Sequence, residues 1–352
     1  MKKHNIAIIG CGNIAQKHIK AIIENNDTIT LKALCDIDGQ KINQLQELYK
    51  KETQKNESIK TYRNYEELLQ DEEIDIITIA TSSGIRPEIA KKAIKKRKHL
   101  ILEKPLALSI KDCDEIINLT KEYQVKTAVC HQLRFMPHIQ NLKNIMEQNK
   151  LGKIYYITAQ MRWNRNDDYY KTSPWRGTWQ YDGGALMNQA IHVIDIMLWL
   201  AKKPKKIFGK INTFSKPIEA EDTAMAIIEF EDNTLGQIEA TVSVYKENLE
   251  EKLTVIAEKG TVVIGGKALE KIEKWHIEGE ETIKDETIKP QNYHTFLYKD
   301  LIESINENKE PLINPEEAKK AVELILGIYK SSKEQKEIEL PFKEFSTIEM
   351  KR

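Results

Sequence analysis

Three groups of residues in this chain have the types and spacing to do chemistry. The first is Glu103-Lys104-Pro105, which closes the apolar run His99-Leu-Ile-Leu102. Proline fixes its own φ and disfavours helix in the residue before it. Lys104 is therefore held extended at the carboxyl end of a strand, the edge where open α/β sheets bind ligands. An ammonium there can stabilise a developing alkoxide, although taken alone it would be a solvated lysine at a strand end. The second is Gly10-Cys11-Gly12-Asn13-Ile14-Ala15, set between the apolar strand Asn5–Ile9 and a helical pattern reaching about Asn25. The first glycine allows a tight turn, the second lets backbone approach a pyrophosphate, and the small last residue lets helix pack on strand. The helix N-terminus adds N–H groups and a positive dipole for phosphate. The third is Asn188, His192 and Asp195, at i, i+4 and i+7 of a helix predicted from Ala185 to Leu200 behind Gly183-Gly184. Its other positions are apolar almost all round. A polar stripe on so buried a helix must be hydrogen-bonded or functional. His192 read alone is as well explained as a satisfied core histidine, and Asp195 as an anchor for the helix.

Further residues extend these groups. The second strand, Thr30 to Cys35, ends at Asp36, about 20 residues beyond the glycines. A carboxylate there suits the ribose diol of NAD and repels the 2′-phosphate of NADP; the alternative is that Asp36 caps the next helix, a cap that Asp38 could supply instead. Thr81 and Ser82 follow the buried strand Ile74–Ala80 and would lie beside a nicotinamide ribose. The expected cofactor contacts are thus Gly10, Gly12, Asn13, Ile14, Asp36, Thr81, Ser82, Glu103 and Lys104. A polar, aromatic loop from 163 to 179 holds three of the chain's five tryptophans among arginines: Trp163, Arg165, Tyr169, Trp175, Arg176 and Trp179. Rings stack on the apolar face of a sugar and guanidinium groups fork phosphate oxygens, so this loop is either a packed lid or a sugar-phosphate site.

The elements that must position these residues alternate strand and helix through the first 130 residues. The helices are predicted at about 40–50, 87–96 and 110–123, with a polar loop over 51–60. Such alternation with short connections gives a Rossmann-type, doubly wound parallel sheet. After 131 a helix reaches about Gln148 and a long strand runs from Ile154 to Trp163. From 206 to about 277 strands follow one another with hairpin signals at Glu231-Asp232-Asn233 and Glu258-Lys259-Gly260, as in a large, mostly antiparallel open sheet. Helices at about 293–308 and 315–332 close the chain. The fold class is α/β, with residues 1–130 a cofactor-binding domain and 131–352 an α+β domain for substrate and oligomer contacts. The segment from about 330 to 352 is expected to pack back on the first domain.

Composition narrows the class. The 352 residues exceed one ordinary core. Lys+Arg and Asp+Glu are equal at 54 each, which argues against a nucleic-acid or anionic-membrane binder. No apolar run reaches membrane-spanning length, and no cleavable leader is visible. Cys11, Cys35, Cys113 and Cys130 stand singly, without metal or disulfide spacing, so free thiols, a cytoplasmic protein and no metal are expected.

Taken together, Gly10–Ala15, Glu103-Lys104-Pro105, Arg134-Phe135, Gly183-Gly184 through His192-Val-Ile-Asp195, and Pro311 to Tyr329 resemble the glucose–fructose oxidoreductase / inositol dehydrogenase / rhizopine catabolism family. The likeness spans essentially the whole chain. It implies hydride transfer between a nicotinamide and a sugar or polyol hydroxyl, with Lys104 as the catalytic lysine and His192 as the acid/base histidine. It also implies an open sheet that pairs subunits, as a homodimer or homotetramer. The family pattern has an aspartate four residues before the histidine; here it is Asn188, which can orient a hydroxyl but cannot take its proton. Trp163-Asn-Arg165, Tyr169-Tyr170, Trp175-Arg-Gly-Thr-Trp179 and Asn188-Gln-Ala-Ile-His192 are similar to a subgroup assigned to nucleotide-sugar oxidation in surface-polysaccharide synthesis. That likeness implies oxidation at C3 of UDP-N-acetylglucosamine or its uronic acid. It makes Arg134, Trp163, Arg165, Tyr169, Trp175, Arg176, Asn188 and His192 the substrate contacts. A free-sugar or inositol dehydrogenase, an NAD-dependent glycosidase and a non-catalytic NAD sensor are the alternatives. Which of Lys104 and His192 accepts the proton stays open.

Overall fold

A computed structural model describes residues 3–54 and 58–351. By contact the chain divides into two compact units, residues 1–107, 111–132 and 292–318, and residues 108–110, 133–291 and 319–352.

In the first unit six parallel strands are β1 (His4–Ile9), β2 (Ile29–Cys35), β3 (Lys60–Tyr62), β4 (Ile76–Ile79), β5 (His99–Leu102) and β6 (Thr127–Val129), in the order β3-β2-β1-β4-β5-β6. Ile6, Ala7 and Ile8 of β1 and Ile77 and Ile79 of β4 are fully buried, as continuous apolar runs covered on both faces must be. The helices of this alternation are α1 (Ala15–Glu24), α2 (Gly39–Thr53), α3 (Tyr65–Leu68), α4 (Arg86–Lys95) and α5 (Ile110–Tyr123). The loop expected over 51–60 is shorter than its polarity suggested, because α2 continues to Thr53; residues 55–57 lie outside the described residues. Strand β3 is short and carries little apolar signal.

In the second unit, α6 (Pro137–Glu147) precedes β7 (Ile154–Arg162), α7 (Asp167–Lys171) and α8 (Ile191–Leu200). The strands β8 (Pro204–Asn212), β9 (Thr223–Phe230), β10 (Leu235–Thr241), β11 (Glu250–Ala257), β12 (Gly260–Gly265), β13 (Lys271–Ile277), β14 (Glu286–Thr287) and β15 (Ile338–Glu339) join β7 in a nine-stranded sheet, β14-β13-β12-β11-β7-β10-β9-β8-β15. All its pairs are antiparallel except β7 with β10. Residues alternate across it: Ala224, Ala226 and Ile228 are buried, while Met225 and Ile227 are exposed, Ile227 directly opposite the exposed Phe208.

Two helices complete the chain, α9 (His294–Glu307) and α10 (Pro315–Glu334). Segment 292–318 falls in the first unit and 319–352 in the second, where residues 345–347 pair with 108–110 of the expected first domain. The physical reasons are local. The apolar face of α9 (Leu297, Tyr298, Leu301) is buried in the first unit, where Asn25 donates to the Thr295 carbonyl at 3.1 Å. Ile338 and Glu339 instead extend the second sheet by pairing with β8.

Candidate active site

The cofactor side is built on the first unit. Gly10 has φ +96°, and a Cβ there would stand 2.7 Å from the Ala80 backbone carbon, so only glycine lets the ends of β1 and β4 come this close. Among the described residues nothing lies within 4 Å of a Cβ built at Gly12, which leaves open space beside the turn Asn13-Ile14 that leads into α1. Ala15 is fully buried. At the end of β2, the Asp36 carboxylate accepts the Cys11 N–H (Oδ2, 2.7 Å) and the Asp38 N–H (Oδ1, 2.8 Å). Asp38 caps α2 by accepting the Gln40 N–H at 3.0 Å, so capping does not require Asp36, whose half-buried carboxylate stands beside the glycine loop. Thr81 and Ser82 follow β4, and the buried Thr81 Oγ1 has no hydrogen-bond partner among the described residues. Open space at Gly12, a carboxylate at Asp36 and an orphan hydroxyl at Thr81 fit the pyrophosphate, ribose diol and second ribose of a dinucleotide.

Lys104 stands half-buried directly after β5. Glu103, expected to touch the cofactor, turns inward and is 6% exposed. Its Oε1 lies 3.1 Å from His18 Nε2 and 3.3 Å from His294 Nε2, and its Oε2 accepts the Lys104 N–H at 3.2 Å. Burial opposes its charge, but the two histidines outweigh burial and hold the carboxyl well below the usual range. Its acceptor capacity is thus spent inside the unit.

The second unit carries the arginine and aromatic loop. The Arg165 guanidinium stacks over Trp163 (4.8 Å) and Tyr169 (5.2 Å); that of Arg176 stacks over Tyr169 (4.2 Å) and Trp175 (4.7 Å). Arg165 Nε is buried with no hydrogen-bond partner among the described residues. The Tyr169 hydroxyl accepts from Arg176 and from Gln189 Nε2 at 3.2 Å. Two cations sharing one ring present a concentrated positive, planar surface, suited to phosphate or carboxylate. Trp179 is 5% exposed and packs edge-on against Tyr329, so it is core.

Arg134 is not a substrate contact of this unit. It is fully buried, forks Asp195 through Nε–Oδ2 (2.8 Å) and Nη2–Oδ1 (2.7 Å), and lies over Trp199 at 5.3 Å. The pair ties the loop before α6 to α8. Arg134→Met removes the buried ion pair with Asp195 and is expected to lower stability by about 3–5 kcal/mol while leaving NADH affinity unchanged, as denaturant melts and NADH fluorescence would record.

The helix carrying Asn188 and His192 is not one continuous α-helix. Leu186–Ala190 forms a π-helical turn before α8, so the stripe expected from 3.6 periodicity is re-registered. Asn188 Nδ2 donates to Asp182 Oδ1, and His192 follows, half-buried. What anchors the turn is Glu221, which sequence reasoning missed. It is fully buried, its Oε1 accepts the Leu186 N–H at 2.8 Å and lies 3.0 Å from the Tyr329 hydroxyl, and its backbone accepts from Ala185. Gly184, at φ +86°, leaves the space: a Cβ there would stand 1.6 Å from Glu221 Oε2. Burial raises the Glu221 carboxyl from 4.5 to about 8 against these bonds. Between those values the folded chain keeps a proton that the unfolded chain has lost, so this group's stabilisation falls as pH rises from 4.5 to about 8. Glu221→Gln should remove a slope of up to about 1.4 kcal/mol per pH unit from the unfolding free energy, measured in melts across that window.

Comparison with known proteins places the chain in a class. Residues 4–131 match the oxidoreductase family NAD-binding Rossmann fold, and residues 139–263 match the GFO/IDH/MocA C-terminal domain. The dehydrogenase WlbA of Bordetella pertussis, solved with NADH and UDP-GlcNAcA, is 30% identical and superposes with a TM-score of 0.87 over 97% of this chain and 100% of its own. WlbA of Chromobacterium violaceum, solved with the same two ligands, is 27% identical with a TM-score of 0.87, covering 97% of each chain. A myo-inositol 2-dehydrogenase of Thermotoga maritima is 23% identical over 95% of this chain and 98% of its own. The chain is an NAD-dependent oxidoreductase. It belongs to the GFO/IDH/MocA family.

Proposed function

We propose that this enzyme oxidises the C3 hydroxyl of a UDP-linked N-acetylated hexosamine, or its uronic acid, in cytoplasmic synthesis of a surface-polysaccharide sugar. The observation that carries this reading is the paired-cation surface of Arg165 and Arg176 on Tyr169, Trp163 and Trp175, within a chain similar along its whole length to two dehydrogenases solved with UDP-GlcNAcA. An inositol or free-sugar site has no need of two guanidinium groups.

Bound NAD+ supplies the hydride acceptor. Gly12, the turn Asn13-Ile14 and Asp36 hold it, with Thr81 and Ser82 toward the nicotinamide end. The Lys104 ammonium stabilises negative charge on the sugar oxygen as its proton leaves. His192 takes that proton by general base catalysis, and the Asn188 side chain orients the hydroxyl without entering proton transfer. Arg165 and Arg176 bind the anionic end of the substrate. The exposed Phe208, Met225, Ile227 and Leu235 on the outer face of the nine-stranded sheet support a homodimer or homotetramer paired through that face.

The test is NADH formation from NAD+ with UDP-N-acetylglucosamine, its uronic acid, myo-inositol and glucose. Oxidation of a UDP-sugar alone supports the reading. Oxidation of myo-inositol or glucose alone overturns it in favour of a free-polyol dehydrogenase and reduces the arginine loop to packing.

A further inference from the structure

We infer that His18 and His294 are positioning residues for Lys104, acting through the Glu103 carboxylate; this rests on Lys104 being catalytic. The two histidines stand 276 residues apart in the chain, on α1 and α9, yet both reach one carboxylate oxygen of the residue preceding Lys104. The other oxygen takes the backbone N–H of Lys104 itself. Both rings are buried, and they meet edge to face at 5.0 Å.

The cluster continues beyond the histidines. His18 Nε2 donates to the Glu103 carboxylate at 3.1 Å. His18 Nδ1 lies 3.0 Å from the Tyr298 hydroxyl, which lies 2.7 Å from Thr78 Oγ1. This run of bonds ends on Glu103, and Glu103 accepts the Lys104 backbone N–H. The far side of Lys104 is held too. The buried Arg86 donates through Nη1 to the Pro105 carbonyl (2.6 Å) and through Nη2 to the Thr81 carbonyl (2.7 Å). The peptide bearing the lysine is therefore bracketed on both sides by charged, buried groups.

The same cluster contains four groups of metal-ligating type, His18, Glu103, Cys130 and His294, whose ligand atoms lie within 4.8 Å of one another. The contacts from Glu103 to the histidines have hydrogen-bond length, so this carboxylate already holds its donors within a hydrogen-bonded bracket.

The bracket predicts a pattern that packing alone does not. In the full-length chain, His18→Phe and His294→Phe should each lower kcat with UDP-GlcNAcA roughly 10- to 100-fold, since small displacements of a catalytic group cost rates of that order. KM for NAD+ should stay within about threefold. His18→Gln and His294→Gln, which restore an N–H donor, should recover most of kcat. Hydrogen exchange at the Lys104 amide, resolved by mass spectrometry, should be roughly tenfold faster in the Phe variants and near wild type in the Gln variants. Wild-type kcat and wild-type Lys104 exchange in both Phe variants would overturn the inference, as would losses that follow the melting temperature alone. Should Lys104→Met keep its turnover, or the wild type oxidise no sugar offered, the functional reading fails separately. Lys104 exchange then decides the bracket by itself.

Discussion

Lys104→Met is expected to leave NADH affinity intact and to cut kcat by roughly 1000-fold or more, the scale of losing a preorganised charge at a developing oxyanion. Methionine matches the length and apolar stem of lysine and removes only the ammonium. The residues that hold the cofactor in the first unit, Gly12, Asp36 and Thr81, are untouched, and so is the bond from the residue-104 amide to Glu103, which is made by backbone. Binding and chemistry should therefore separate cleanly. NADH fluorescence titration gives the first quantity and single-turnover NADH formation the second. A variant that turns over at the wild-type rate would remove Lys104 from the mechanism.

The second large effect is expected at His192. His192→Asn should lower kcat by roughly 100- to 10,000-fold, the usual contribution of a positioned general base. It should also change the shape of the pH–rate profile. With Asn188 in place of an acid, the chain offers no carboxylate at that position to take over, so the limb reporting ionisation of the base should vanish rather than shift. Asn188→Asp is the informative companion, because it restores a proton acceptor four residues earlier. Partial recovery in the double variant would assign the missing function to proton transfer. A profile unchanged in His192→Asn would assign the proton to Lys104.

How far such a site can be read from sequence depends on the range of the interactions that make it. The position of the glycine turn, Asp36 and Glu103-Lys104-Pro105 at strand ends was legible because each is a local pattern, and the β1, β2 and β4 runs are apolar enough to demand a sheet buried on both faces. The two-residue period of β9 likewise exposed one face of the second sheet. What escaped was decided by partners distant in the chain. Arg134 sits in a motif and carries the right charge for a substrate, but Asp195 claims it 61 residues later. The polar stripe on the helix of His192 assumed a continuous 3.6 period, and a single π-helical turn anchored by Glu221 alters it. His18 was the one such signal available locally, a histidine among the buried residues Ala15, Ile19 and Ile22 of α1; its partner Glu103 lies 85 residues away. Segment 292–318 joins the first unit for the same reason, since the apolar face of α9 does not declare which core it covers.

The most direct test of the central claim is the fate of the hydrogen on C3. UDP-GlcNAcA carrying deuterium at C3 would be incubated with NAD+ and the enzyme, and the reduced cofactor analysed by NMR and mass spectrometry. Hydride transfer from C3 should place deuterium at C4 of the dihydronicotinamide and leave a 3-keto sugar nucleotide. Reduced cofactor without deuterium would place the oxidation at another carbon and contradict it.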